Sequence, residues 1–249
     1  MGGGGAAALG NLGRGLRDLL FPAACAACGA PAAGGGLFCP ACAAQVEPLG
    51  QPACALCGQP GVTWRCPSCR EHPPPFDAVH SLAAHRGPLA QAVRGFKYQR
   101  RHWLGPGLAR LLGAAPRAWW ATADLAAPVP LHPRRLMARG FNQALVLARG
   151  LPRGQGPELA PRLLRRRRHT KPQVGLTPAA RRGNVAGAFA VDPGRAGRLD
   201  GAWVLLVDDV FTTGATAAEC ARVLKQGGAA RVEVLTLVRA VGAGRKASA

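Results

Sequence analysis

The run Val204-Leu205-Leu206-Val207-Asp208-Asp209-Val210-Phe211-Thr212-Thr213-Gly214-Ala215-Thr216 constrains the fold more than any other stretch of this 249-residue chain. Its four leading residues are all apolar, with no polar alternate, as in a strand buried on both faces. Two carboxylates stand where that strand emerges, and small and hydroxyl-bearing residues then lead into a helix predicted over residues 214–226. Backbone N–H groups at such a helix start, with the hydroxyls of Thr212, Thr213 and Thr216, can surround a phosphate. Gly214 permits close backbone approach. Asp208 and Asp209 can accept hydrogen bonds from sugar hydroxyls or hold Mg2+ bridged to phosphates. The plainer alternative is Thr213 as a helix N-cap, with two carboxylates near a positive helix end.

The surrounding pattern agrees with that strand–helix unit. Strands are predicted over 78–84, 125–131, 204–207 and 232–238, and helices over 89–96, 108–112, 141–148 and 214–226. Strands alternating with helices imply an α/β fold whose parallel sheet is flanked by helices. Ligands of such sheets bind beyond the carboxyl ends of the strands. Pro73, Pro74 and Pro75 form a stiff linker. They divide an N-terminal tail and short helix (1–20) and a cysteine segment (21–72) from the α/β domain (76–249). The short helix rests on Leu16, Leu19, Leu20 and Phe21.

Eight of the nine cysteines form Cys-x-x-Cys pairs: Cys25/Cys28, Cys39/Cys42, Cys54/Cys57 and Cys66/Cys69. Each spacing lets two thiolates of one tight turn reach the same ion, and four complete a tetrahedral zinc shell. Two Zn2+ sites are therefore expected. Sequential pairing into two tandem ribbons is favoured over interleaving, because short loops close more cheaply than long ones. Gly29 and Gly58 follow the second cysteine of a pair, where positive φ turns amides toward sulfur. A segment with so few large apolar residues needs metal to supply folding energy, which makes stapling the expected role of both ions. Cys220 stands alone in a predicted helix and reads as a small buried hydrophobe.

The formal net charge is +20, and residues 1–75 contribute only +1 of it. Residues 134–182 hold thirteen basic side chains and one acid, Glu158. That excess favours polyanionic partners and points to the second domain. No charge-free apolar stretch is long enough to span a bilayer. Residues 1–8 lack the basic start of a secretion signal, and clustered reduced cysteines suit the cytoplasm.

The run from Val204 to Thr216 resembles the 5-phosphoribosyl-1-pyrophosphate (PRPP) motif of type I phosphoribosyltransferases. The wider arrangement resembles the ComF/GntX family, bacterial proteins linked to natural competence and DNA uptake. The resemblance is carried by Leu19-Leu20-Phe21-Pro22, the cysteine pairs, Phe96-Lys97-Tyr98, Pro128-Val129-Pro130-Leu131 and Arg139-Gly140-Phe141-Asn142-Gln143. Gln173, Leu176, Arg181, Asn184 and Phe189 add to it. It implies a type I phosphoribosyltransferase-like sheet, preceded by a small zinc-ribbon domain. Asp208 and Asp209 would meet the ribose hydroxyls, and Thr212, Thr213, Gly214, Ala215 and Thr216 the 5-phosphate, with Mg2+ accompanying PRPP. Leu131, Arg134 and Arg135 fall where this fold places its pyrophosphate loop, and Arg139, Asn142 and Gln143 are cleft candidates. His132 and His169 lie near these segments and read as surface or structural residues.

Arg165, Arg166, Arg167, Arg168 and Lys171 would lead into the mobile hood over that cleft. Five or more cations exceed what one diphosphate needs, so single-stranded DNA is a further expected ligand. Tyr98, Trp103, Trp119 and Trp120 are candidates for stacking on its bases. Two functions follow. One is a phosphoribosyl-binding protein of DNA uptake, acting with a DNA-import helicase. The other is an active phosphoribosyltransferase of nucleotide metabolism. No residue outside the motif identifies an acceptor, and with no N-terminal Cys nucleophile a complete glutamine-dependent enzyme is not expected. A zinc-ribbon adaptor with a vestigial site is a third reading, and the sequence does not speak to oligomeric state.

Overall fold

The structure, a computed structural model, describes residues 24–32, 36–170, 175 and 177–241. The helix expected at Leu16–Phe21, and Lys171, Gln173 and Leu176, lie outside them. The ribbons come first, with short helices α1 (Pro40–Ala43) and α2 (Pro67–Glu71) opening at the second cysteine pair of each. Proline occupies the first turn of both, where its missing N–H costs nothing. Gly29 and Gly58 have φ of +80° and +68°, as the turns require.

The α/β part continues with β1 (Ala78–Ala84), α3 (Gly87–Tyr98), α4 (Gly105–Gly113) and β2 (Leu125–Pro128). Next come α5 (Pro133–Arg139), α6 (Gln143–Ala148), β3 (Glu158–Leu159), β4 (Leu164–Arg166), α7 (Pro178–Val185) and β5 (Phe189–Val191). The closing unit is β6 (Trp203–Phe211), α8 (Ala215–Gln226) and β7 (Arg231–Arg239). Five strands form a sheet in the order β1-β7-β6-β2-β3, parallel at every pairing, and β4 and β5 form a separate antiparallel pair.

The apolar quartet explains the layering. Val204 and Leu206 join a core under α8 and the β4–β5 pair, with Leu224 and Phe189. Leu205 and Val207 point the other way, into a core with Leu89, Phe96, Leu108 and Leu147. Cys220 is fully buried in the α8 layer.

Four of the differences from expectation bear on the site. The second strand stops at Pro128, with only the Val129 N–H carrying its bonding one residue further, to the Val207 carbonyl. The helix expected over 141–148 begins only at Gln143, preceded by α5, and the two are separated by Gly140 at φ +85°. β6 runs on through the carboxylates to Phe211, because β7 supplies partners at Thr236 and Val238. The basic run contributes a strand, β4, whose Leu164 and Arg166 face inward while Arg165 faces out.

The second ribbon lies against the sheet. Cys54, Cys57, Cys66 and Cys69 share an apolar cluster with Phe76, Val79 and Phe211. Arg239, buried at the end of β7, donates to the Cys57 carbonyl and, at 3.1 Å, to Gln59 Oε1. Its guanidinium also lies 4.8 Å above the Phe211 ring. A Cβ on Gly58 would sit 2.9 Å from the Val79 carbonyl oxygen, so only glycine allows that approach. The cysteines of the first ribbon cluster with Ala32, Ala27 and Phe38, while its Ala26, Leu37 and Phe38 meet the other core of the sheet.

Candidate functional site

Each expected cysteine set comes together sequentially. The sulfurs of Cys25, Cys28, Cys39 and Cys42 lie within 4.8 Å of one another, as do those of Cys54, Cys57, Cys66 and Cys69. Burial raises the Cys25 and Cys54 thiols, but amides of the turns outweigh it and bring both down to about 6. Hydrogen bonding from Cys28 and then burial push Cys42 up to about 12, and burial first raises Cys57 and Cys69. Four thiolates this close need a cation before all can ionise, and soft sulfur in this number fits zinc. Both tetrads suit structural zinc.

At the carboxyl end of β6 the chain builds a different kind of centre. Asp209 is buried, and Lys97 from α3 places Nζ 2.8 Å from its Oδ2. Burial alone would lower the Lys97 pKa, but the carboxylates of Asp209 and Asp208 more than offset it. The Asp209 N–H donates to Asp208 Oδ1 at 2.9 Å. Burial, then the Asp209 charge, drive the Asp208 carboxyl up to about 8. One ammonium thus serves two carboxyls, and the second keeps its proton near neutral pH. Lys97 is the residue that sequence reasoning passed over. It entered only as part of Phe96-Lys97-Tyr98, and its position before an exposed tyrosine at a helix end was the one available signal.

Beyond Phe211 the chain turns sharply. Thr212 and Thr213 are exposed, and Gly214 stands at the N-cap of α8 with φ +76°. A Cβ there would lie 2.7 Å from the Phe211 ring. The N-cap is Gly214, which has no side chain to cap with, so Thr213 is not the N-cap of this helix. Ala215 is buried and Thr216 half-buried on the first turn.

The adjacent loop leaves β2 through Val129, whose N–H donates to the Val207 carbonyl at 2.9 Å. Leu131 is half-buried at the turn. His132 caps α5 through Nδ1, which accepts from the Arg134 N–H at 3.3 Å. Arg134 is exposed. Asn142 and Gln143 are committed internally. Asn142 caps α6 and donates to the Val129 carbonyl at 3.1 Å, while buried Gln143 accepts from Arg139 at 2.6 Å. They brace the loop.

The basic run folds onto this loop. Arg135 donates to the Thr170 carbonyl at 2.8 Å, and Arg166 to Thr170 Oγ1 at 2.5 Å. The His132 and His169 rings meet edge-on at 5.0 Å. Arg166 is buried over the Phe189 ring with no carboxylate partner, and its Nε has no hydrogen-bond partner among the described residues. Burial first and then Arg135 lower its pKa, while Asp208 acts in the opposite sense. Arg165 binds Asp192 at 2.6 Å, and Arg168 donates to the Asn184 and Ala186 carbonyls. Arg167 is exposed, and Lys171 falls outside the described residues.

These features define a class: a double zinc ribbon followed by an α/β domain built on a five-stranded parallel sheet. The double zinc ribbon domain family matches residues 16–71. Competence protein F of Haemophilus influenzae is 32% identical over 210 residues, 82% of this chain and 90% of that protein. The DNA utilization protein YhgH of Escherichia coli K12 is 32% identical over 89% of this chain and 99% of its own. The chain belongs to the ComF family. Among solved structures, a glutamine PRPP amidotransferase from B. subtilis matches 58% of this chain and 30% of its own, at 21% identity and TM-score 0.36. The allosteric regulatory enzyme of purine biosynthesis matches similarly, at TM-score 0.37 and again over 30% of that chain. Among the described residues, no helix is long and apolar enough to cross a membrane.

Proposed function

We propose that this chain binds PRPP, or a close phosphoribosyl relative, at the carboxyl ends of β2 and β6. In the cell this binding serves DNA uptake or utilisation. The observation that carries the reading is the convergence of two opposite charge groups at one edge. Asp208 and Asp209 share the one ammonium of Lys97, and Asp208 acts electrostatically on Arg166, which Thr170 joins to Arg135. A ligand with sugar hydroxyls at one end and a diphosphate at the other answers both. The carboxyls take the ribose hydroxyls or the accompanying Mg2+, and the guanidiniums take the diphosphate. The start of α8, where Gly214 brings the backbone in at positive φ, takes the 5-phosphate with Thr212 to Thr216.

The DNA role follows the printed names of relatives that align over nearly their whole length, a competence protein and DNA utilization proteins. Single-stranded DNA is the expected polymer, and a DNA-import helicase the expected partner. Calorimetric titration of PRPP with Mg2+ into the wild type and Asp208→Ala/Asp209→Ala tests the site. Heat is expected only from the wild type, and indistinguishable heats would end the reading. Pyrophosphate release in the same mixture would extend it from binding to transfer.

A further inference from the structure

We propose that Tyr98 and Trp103, with the apolar groove beside them, form a base-stacking surface for single-stranded nucleic acid. This rests on the DNA-binding reading above and moves the contact away from Arg165–Arg168, most of whose guanidiniums are engaged inside the hood.

Four aromatic residues were candidates for stacking, and the fold separates them. Trp120 is buried and donates from Nε1 to the Ala115 carbonyl at 3.1 Å. Trp119 stacks on His80 with centroids 5.1 Å apart. Tyr98 and Trp103 are left 64% and 56% exposed, which is unusual for rings of this size. Each has a guanidinium over one face. Arg139 lies 5.5 Å from the Tyr98 centroid and Arg101 4.9 Å from that of Trp103. A cation on one side leaves the opposite face for a base and keeps a phosphate partner within reach of it. This combination is how non-specific single-strand surfaces are built.

The local backbone supports the arrangement. Gly95 sits inside α3, where glycine is costly, and a Cβ there would come 3.0 Å from Arg101 Cδ. The missing side chain lets Arg101 fold back along the helix. Arg100 holds φ +55° in the turn that carries the chain from Tyr98 to Trp103, and its side chain is exposed. The groove, about 370 Å3, is lined by Phe96, His102, Gly140 and Phe141 among others. Phe96 and His102 are close in sequence to the two rings, and Gly140 follows Arg139. Phe141 packs on both, with centroids 4.7 Å from Phe96 and 4.8 Å from His102. An apolar slot of this kind accepts a base unstacked from its neighbours.

Charge selects the occupant. Between Asp77 and Asp124 the chain has seven Lys and Arg residues and no acid. Of these, Lys97 is committed to the buried Asp209 carboxylate, and it places Tyr98 at the rim of the cleft. An acidic polymer with flat apolar units fits this surface better than a neutral or basic protein.

The test is fluorescence anisotropy of a fluorescein-labelled oligothymidylate with the full chain. Tyr98→Ala/Trp103→Ala should weaken binding at least tenfold at every salt concentration. Loss of stacking is worth about 5- to 150-fold per base. Its PRPP heat and zinc content should match the wild type, and Tyr98→Phe/Trp103→Phe should restore binding. Arg100→Ala/Arg101→Ala should flatten the salt slope by about 1.4, the value for two lost phosphate contacts. Asp208→Ala/Asp209→Ala should bind the oligonucleotide normally. Binding within twofold of wild type for the ring-deleted chain would overturn the surface and leave DNA binding elsewhere. A wild type that binds no oligonucleotide in low salt would overturn both.

Discussion

The ribbons and the cleft treat buried charge in opposite ways. In each ribbon four thiols from two local turns converge within 4.8 Å, a shell that a divalent ion closes completely. In the cleft two neighbouring carboxyls share a single ammonium, supplied by a helix far away in sequence. Each ribbon suits an ion that would hold its two turns together. The cleft is held by the sheet, and its two carboxyls share one cation, which suits it to the ligand proposed above. Stability and readiness to bind are thus assigned to different parts of the chain.

The largest effect should come from breaking that division at the second ribbon. Cys54→Ser/Cys57→Ser removes one ion and opens an apolar cluster shared with Phe76, Val79 and Phe211. Apparent binding energies of structural zinc are about 10–16 kcal/mol, and the melting temperature should fall by roughly 10 °C or more. Cys25→Ser/Cys28→Ser, in the ribbon with its own small cluster, should cost less than half as much. Zinc release should read two ions per wild-type chain and one for either variant. Equal melting shifts would show that the two ribbons contribute equally to the stability of the sheet's cores.

Lys97→Ala attacks the cleft side. It leaves Asp209 buried without its cation, a defect worth about 3–5 kcal/mol. Chemical denaturation should show that loss, zinc content should stay at two, and Lys97→Arg should recover most of it. Arg239→Ala probes the seam between the regions. The bonds to Cys57 and Gln59 come from a charged donor, so the expected cost is about 2–3 kcal/mol. PRPP binding should persist in that variant. A chain that lost its ligand affinity would mean that ribbon and cleft are coupled.

The parts legible in sequence were those with local causes. Cysteine spacing located both tetrads, and the apolar quartet Val204–Val207 located the central strand and its two layers. Lys97 was illegible as a site residue, because its partner Asp209 is distant in sequence and brought near only by the sheet. The β4 strand was hidden for a related reason. Arg166 looks solvated in a run of four arginines, but its inward position is set by Phe189 across the hairpin. Asn142 and Gln143 fit a cleft pattern, and only the fold shows them spent on bracing it.

The smallest expected effect has the opposite sign. Asp208 holds its proton in the folded chain up to about pH 8, pushed there by burial and then Asp209, whereas an unfolded aspartate loses it near 3.9. Between those values the unfolded state binds fewer protons than the folded one, so stability falls as pH rises from about 4 to 8. Asp208→Asn removes that slope. Because Asp208 is only half-buried, the gain near pH 8 should be about 1–2 kcal/mol, a rise in melting temperature of roughly 2–8 °C. The gain should shrink toward pH 4, and PRPP heat should vanish at every pH. An Asn variant that is less stable at pH 8 would show the pair to be satisfied as it stands. The contrast with the zinc shells would then fail, because the cleft would no longer be the region left short of a cation.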